Sequence, residues 1–321
     1  MRNVQLFTKK RLGLNYCKVP KAGSTFWMNF FLILDGIYRE TDIYRKARYE
    51  IHETADNRLE EQNSLGSIND KDVTVMIVRD PYQRLFSAYM DKIFIPLYIE
   101  DAKAIARLRN RKCYRENSFQ DFLDYVTRDD DVTLNEGQDV HWSPIYYICL
   151  PCNIPYNVII KSEHFSSEVG GLLKSLNLTS SAYELFSKML NSQNIEVSVQ
   201  VKVREILRLM LYYDFKNKTC MTYIETMERV WTSFKAQGYM CDEVPFPPVF
   251  RNMYYFKIEE TIQIILDAIR SCHMTSSQRI KQRMVYLSKA YRAISYNTTI
   301  AIRRYFAPDF LLFNYSQVPP I

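Results

Sequence analysis

The segment Val73 to Val78, VTVMIV, sets the first limit on what this chain can become. Six consecutive apolar or β-branched side chains, without polar-out alternation, fit a strand covered on both faces. Such a strand needs a layer on each side, which parallel sheets obtain from their crossover helices. A helix follows directly. Pro81 stands where a first helical residue belongs, Asp80 offers an N-cap, and Leu85, Phe86 and Tyr89 continue at helical spacing.

The same order occurs nearer the start. Residues 14–19 (LNYCKV) read as a short buried strand and Pro20 to Ser24 as a loop. From Thr25 the side chains Phe26, Trp27, Phe30, Phe31 and Leu34 recur at helical spacing until Asp35-Gly36 stops them. Residues 39–70 are polar and read as helix and loop, and Asn157 to Lys161 (NVIIK) reads as a third strand. Strands alternating with helices predict an α/β fold with a parallel sheet flanked by helices. Residues 180–305 are mostly helical in pattern, with a break at Pro245 to Pro248. At 47% hydrophobic and 24% charged, the chain has ample material for a core.

Two strand-to-helix junctions carry anion-binding chemistry. At Pro20-Lys21-Ala22-Gly23-Ser24-Thr25, a helix N-terminus offers backbone N–H groups and the positive end of the helix dipole. Gly23 allows close approach of a ligand, Ser24 and Thr25 add hydroxyls, and Lys21 adds charge. This is not a Walker loop, because the Lys precedes a lone Gly. The plain alternative is an ordinary turn. At the second junction Arg79 leaves the C-terminal end of a buried strand, where open α/β sheets bind ligands. Ser87 lies on the following helix, on the face of Arg84. Arg79 and Ser87 suit one phosphate, the Arg through a forked charge-assisted bond. Alternatively, Arg79 pairs with an acidic neighbour and Ser87 is a small packing residue.

These segments resemble the donor-binding motifs of sulfotransferases that use PAPS (3′-phosphoadenosine 5′-phosphosulfate). Cys17-x-x-Pro20-Lys21-Ala22-Gly23-Ser24-Thr25-Phe26-Trp27 is similar to the 5′-phosphosulfate loop, and the run from Val78 to Lys92 to the 3′-phosphate motif. Two further segments match the Golgi carbohydrate sulfotransferases of the chondroitin 4-O-, dermatan 4-O- and HNK-1 type. One is His141-Trp142-Ser143-Pro144 leading to Cys149-Leu150-Pro151-Cys152 and Ile154, Tyr156 and Lys161. The other is Asp309-Phe310-x-x-Phe313-x-Tyr315. Four motifs in the family's order span residues 17–315. The stretch between Lys161 and the last motif is longer than the family's usual spacing.

The resemblance implies the sulfotransferase fold, a P-loop-like parallel sheet, in a single domain over 1–321 with 180–295 as a helical insertion. It implies sulfo transfer from PAPS to a glycan hydroxyl without a metal. Pro20 to Phe26 would hold the 5′-phosphate, with Lys21 stabilising charge on the bridging oxygen, and Arg79 and Ser87 the 3′-phosphate. The base is expected among four histidines, His52, His141, His164 and His273. His52, lying between the two donor motifs, is favoured over His141.

The seven cysteines are too few and too scattered for a small disulfide scaffold, and one CxxC without a second ligand pair does not make a zinc site. Cys149 and Cys152 are either in lumenal disulfides or buried thiols, and the resemblance favours disulfides. Four sequons, at Asn177, Asn217, Asn297 and Asn314, exceed the roughly two expected by chance. With the resemblance they point to the Golgi lumen or secretory pathway. Met1 to Arg11 has no apolar signal region, and Phe26 to Leu34 falls short of the ~20 residues of a membrane span, so the family's membrane anchor is not seen.

The net charge of +6 reads as spread along the chain and suits anionic donors or acceptors. A nucleic-acid binder has no recognisable motif here. An atypical phosphotransferase would need a Mg²⁺-binding Asp, for which Asp80 is the candidate. A non-catalytic glycan-binding relative is disfavoured because Lys21, Arg79 and Ser87 are all present.

Overall fold

The computed structural model describes residues 4–62, 68–95, 97–128, 139–191, 195–211, 215–252 and 257–321. By contacts the chain divides into two compact units. One holds residues 1–81, 139–201 and 308–315, and the other 82–138, 202–307 and 316–321.

The first unit is built on five strands: β1 (Leu6–Lys9), β2 (Leu14–Cys17), β3 (Glu61–Gln62), β4 (Val73–Val78) and β5 (Val158–Lys161). Their order across the sheet is β3-β1-β2-β4-β5. The three strands read from sequence, β2, β4 and β5, run parallel, with Cys17 opposite Met76 and Val78 opposite Lys161. In the first of them the strand ends at Cys17, two residues before the predicted limit. β1 and β3 extend the sheet antiparallel at one edge, so the sheet is mixed rather than purely parallel. β4 lies between β2 and β5, and Thr74 to Val78 are all buried, as its unbroken apolar pattern requires.

The helix Ser24–Leu34 packs its aromatic face into the core. Trp27 stacks on Tyr16 of β2 at 4.9 Å, and Phe30 meets Phe186 of the helix Ser180–Asn191 at 4.5 Å. Such aromatic pairs add about 0.5–1.5 kcal/mol each beyond area burial. The helix stops where the sequence predicts. Gly36 takes φ +68, and Gly36 and Ile37 donate N–H bonds back to Ile33 and Leu32. The disulfide Cys17–Cys149 joins the end of β2 to the helix Ile145–Cys149.

The second unit is helical in its described residues. Its longer helices are Ile99–Leu108, Tyr223–Ala236, Ile258–Arg270 and Ser276–Arg292. The disulfides Cys113–Cys220 and Cys241–Cys272 fasten it. Buried Asp91 is neutralised by an ion pair with buried Lys202.

Candidate active site

The parallel register carries the loops after β2, β4 and β5 out of one edge of the sheet, where an α/β fold places its ligands. After β2 the chain turns through two left-handed residues, Lys21 at φ +68 and Gly23 at φ +90. For Lys this region costs about 1–2 kcal/mol, and the conformation is held from outside. The Arg79 guanidinium donates to the Lys21 carbonyl at 2.7 Å. The two junctions picked out in the sequence are thus joined by one charged hydrogen bond.

At Gly23 the left-handed backbone is reinforced by a neighbour. A Cβ there would lie 2.5 Å from the ring of Phe165, so no other residue fits without displacing that ring. Phe165 also meets Phe26 edge-on at 5.6 Å. The helix that starts at Ser24 has no side-chain cap and no acidic residue in its first turn. Its leading N–H groups lack acceptors within the helix and present positive potential. An anionic group suits this place, and a carboxylate cap, which would compete with one, is not there.

His52 lies on the helix Arg48–Arg58, and its Nε2 is 3.2 Å from the Thr25 hydroxyl. A histidine is thereby tied to the anion loop itself. His141 is held differently. Its Nδ1 is 2.6 Å from an Asp139 carboxylate oxygen that also accepts the His141 backbone N–H at 2.7 Å. This carboxylate fixes the orientation of the ring. His164 and His273 are exposed. Ser87 is half-buried on the helix Pro81–Ala88, and Arg84 of the same helix is buried.

The later motifs brace the sheet edge. The Asp309 carboxylate accepts the N–H groups of Ile145 and Tyr146 at 2.7 and 2.8 Å, capping the helix that follows the His141-Trp142 segment. The Tyr315 hydroxyl donates to Glu163 at 3.0 Å, and the other Glu163 oxygen accepts the Asp80 N–H at 3.1 Å. Burial pushes the Tyr315 hydroxyl pKa well up, and the Glu163 charge pushes it further, so the phenol stays a donor. Lys161 lies 4.5 Å over the Tyr315 ring and donates to the Asn314 carbonyl at 3.3 Å. Glu163 and Phe165 were not singled out in the sequence. The signal for them was their position directly after β5, at the same edge as the two anion loops.

Of the CxxC pair, Cys149 is in a disulfide with a third cysteine, Cys17, whereas Cys152 is an exposed free thiol. Among the described residues there is no group of three or more His, Cys, Asp or Glu able to hold a metal ion. Nor is any helix among them long and apolar enough to cross a membrane.

Parallel strands of an α/β sheet whose C-terminal ends carry a loop at a helix N-terminus, tied by an arginine from the neighbouring strand, define the class of α/β proteins with a place for an anionic ligand at that edge. The chain belongs to the sulfotransferase family, whose sequence model matches residues 4–217. It is 30% identical over 195 residues to carbohydrate sulfotransferase 10 of Xenopus laevis, covering 54% of this chain and 53% of that one. It is 29% identical over 186 residues to carbohydrate sulfotransferase 8 of Mus musculus, covering 54% and 43%. With carbohydrate sulfotransferase 11 of Rattus norvegicus the identity is 27% over 223 residues, covering 61% and 62%. The chain thus spans about half the length of the curated relatives it matches. No solved structure gives a significant match.

Proposed function

We propose that this chain is a carbohydrate sulfotransferase that moves a sulfo group from PAPS to a glycan hydroxyl in the secretory lumen. The observation that carries the reading is the Arg79 bond to the Lys21 carbonyl, because it makes one site of the two donor motifs. The printed names of the relatives support the glycan acceptor, and a chondroitin-type chain or a glycoprotein sugar fits the motif resemblance. The three disulfides suit the oxidising Golgi lumen. We read residues 1–321 as a single sulfotransferase domain with 180–295 as its helical insertion. In support, residues 218–295 lie beyond the family match, and the described part of 180–295 consists of helices and their connecting turns.

Bound PAPS would supply the sulfo group and, in adenosine 3′,5′-bisphosphate, the leaving group. Pro20 to Phe26 form the loop around the 5′ end, which the backbone N–H groups of 22–25 and the Ser24 and Thr25 hydroxyls hold. Lys21 neutralises charge that develops on the leaving oxygen. Arg79 and Ser87 hold the 3′-phosphate. No residue of this scheme requires a metal. His52 takes the proton from the acceptor hydroxyl, and its bond to Thr25 supports that role over His141, which Asp139 holds instead.

The test is transfer from labelled PAPS to a panel of glycosaminoglycans and glycoprotein glycans. The parent protein should label at least one of them. His52→Ala should lower kcat by about 10²–10⁴ with donor affinity nearly unchanged, and Lys21→Ala should impair both. Full turnover in His52→Ala with its loss in His141→Ala would move the base to His141. No transfer to any acceptor, together with no binding of adenosine 3′,5′-bisphosphate, would end the reading.

A further inference from the structure

The net charge is less evenly spread than the sequence first suggests. Residues 276–307 contain seven Lys and Arg and not one Asp or Glu, more than the whole chain's net +6. This stretch lies beyond the family match and within the second unit. Its main element is the helix Ser276–Arg292, capped by Thr275 and stapled just upstream by Cys241–Cys272.

The rotation of this helix about its axis is fixed by its inner face. Arg279 donates to the carbonyls of Gly238 and Tyr239 at 2.8 and 3.0 Å. Gln282 donates to those of Lys235 and Met240 at 2.7 and 2.8 Å, and the Tyr286 hydroxyl to Asp242 at 2.7 Å. Leu287 and Tyr291 are buried. Lys281, Lys289 and Arg292 therefore fall together on the outer face, and all three are exposed. Along the axis, Lys281 stands about 12 Å from Lys289 and about 16 Å from Arg292 at 1.5 Å per residue. Among the described residues none of the three makes an ion pair, whereas an ordinary soluble surface intersperses both signs. Exposed Val285 and Met284 lie on the same outer side.

A row of unpaired cations interleaved with apolar side chains matches a linear polymer of sugar rings that carry anionic groups. The apolar C–H faces of such rings meet Val285 and Met284 while their sulfates or carboxylates meet the cations. Nucleic acid offers the same charge, but three disulfides mark a compartment that excludes it. We propose that the outer face of the helix Ser276–Arg292 is a docking surface for an acidic glycan chain. This rests on the reading that the protein works on glycans in the secretory lumen.

The experiment titrates a fluorescently labelled chondroitin sulfate chain with the full chain and with Lys281→Glu/Lys289→Glu/Arg292→Glu. A neutralising variant with Gln at the same three positions guards against misfolding of the charge reversal. Both variants should bind the labelled chain at least about tenfold more weakly, with a shallower dependence on salt. Binding of adenosine 3′,5′-bisphosphate should be unchanged. Undiminished chondroitin sulfate binding in the folded variants overturns the proposal, and so does equal competition by duplex DNA of matched charge. If the parent binds no adenosine 3′,5′-bisphosphate but the variants still lose the glycan chain, the donor reading fails and the docking surface stands.

Discussion

Replacing Cys17 and Cys149 by Ala opens a link between residues 132 apart in sequence. In the chain-entropy account, closing a loop of that length removes about 5 kcal/mol of unfolded-state entropy, and native disulfides deliver about 2–5 kcal/mol. The second interlocking link, Cys113–Cys220, offers no shorter route between the two positions, so it does not take over the constraint. Both positions are buried among apolar neighbours, which accept Ala with only a small cavity. The expected loss for the sheet unit is therefore about 3–5 kcal/mol. Trp27 and Trp142 are fully buried in that unit, and their emission follows its unfolding in urea, with Trp231→Phe as the background to silence the other unit. Donor affinity should fall as well, because Cys17 ends the strand from which the anion loop departs. In unreduced parent protein, alkylation should reach Cys152 alone. A double variant with an unchanged urea midpoint, or a parent in which all seven thiols alkylate, would refute the reasoning.

Gly23→Ala forces both a left-handed Ala and a collision with Phe165. It should weaken adenosine 3′,5′-bisphosphate binding by about fivefold to 150-fold, from about 1–3 kcal/mol of strain, and Phe165→Ala should restore it only in part because the backbone strain remains. Asp121 gives a pH signature in the other unit. Burial opposes its ionisation, but the N–H and hydroxyl of Ser118 and the guanidinium groups of Arg111 and Arg109 outweigh it and hold its pKa at about 2. A depressed carboxylate stabilises the fold above its unfolded pKa near 3.9, and the contribution fades as pH falls toward the folded value. Urea unfolding should thus show stability falling between about pH 4 and pH 2, and Asp121→Asn should remove that limb at a cost of about 1–2 kcal/mol at pH 7 after solvent screening.

What was legible in the sequence is what is local. The runs LNYCKV, VTVMIV and NVIIK gave β2, β4 and β5, because a strand buried on both faces leaves no polar alternation. The stop at Asp35-Gly36 was legible because a left-handed residue after a helix selects Gly. β1 was not, since LFTK is four residues long and runs into Lys9, Lys10 and Arg11. It becomes a strand only by pairing back on β2, and that antiparallel edge makes the sheet mixed. The loop from Pro20 to Thr25 was singled out by residue types, but the Arg79 bond to Lys21 spans 58 residues and the Thr25 contact with His52 spans 27. Cysteine spacing gave the CxxC, yet not Cys17 as the partner, because pairing depends on tertiary proximity.

The Asp309 clasp bears on how the protein is made. Asp309 closes the helix that begins at Ile145 from 164 residues further along the chain, and Tyr315 reaches back 152 residues to Glu163. Domains usually condense in the order in which the ribosome delivers them. Here the sheet unit has its strands early but must wait for the whole of residues 202–307 to emerge before its last braces arrive. During that interval the N–H groups of Ile145 and Tyr146 lack their acceptor and the place of Phe313 in the core stands open to water. Nascent chains at that stage are natural clients for chaperones, and a chain interrupted between residues 202 and 308 would display the same surface to the machinery that removes unfinished proteins.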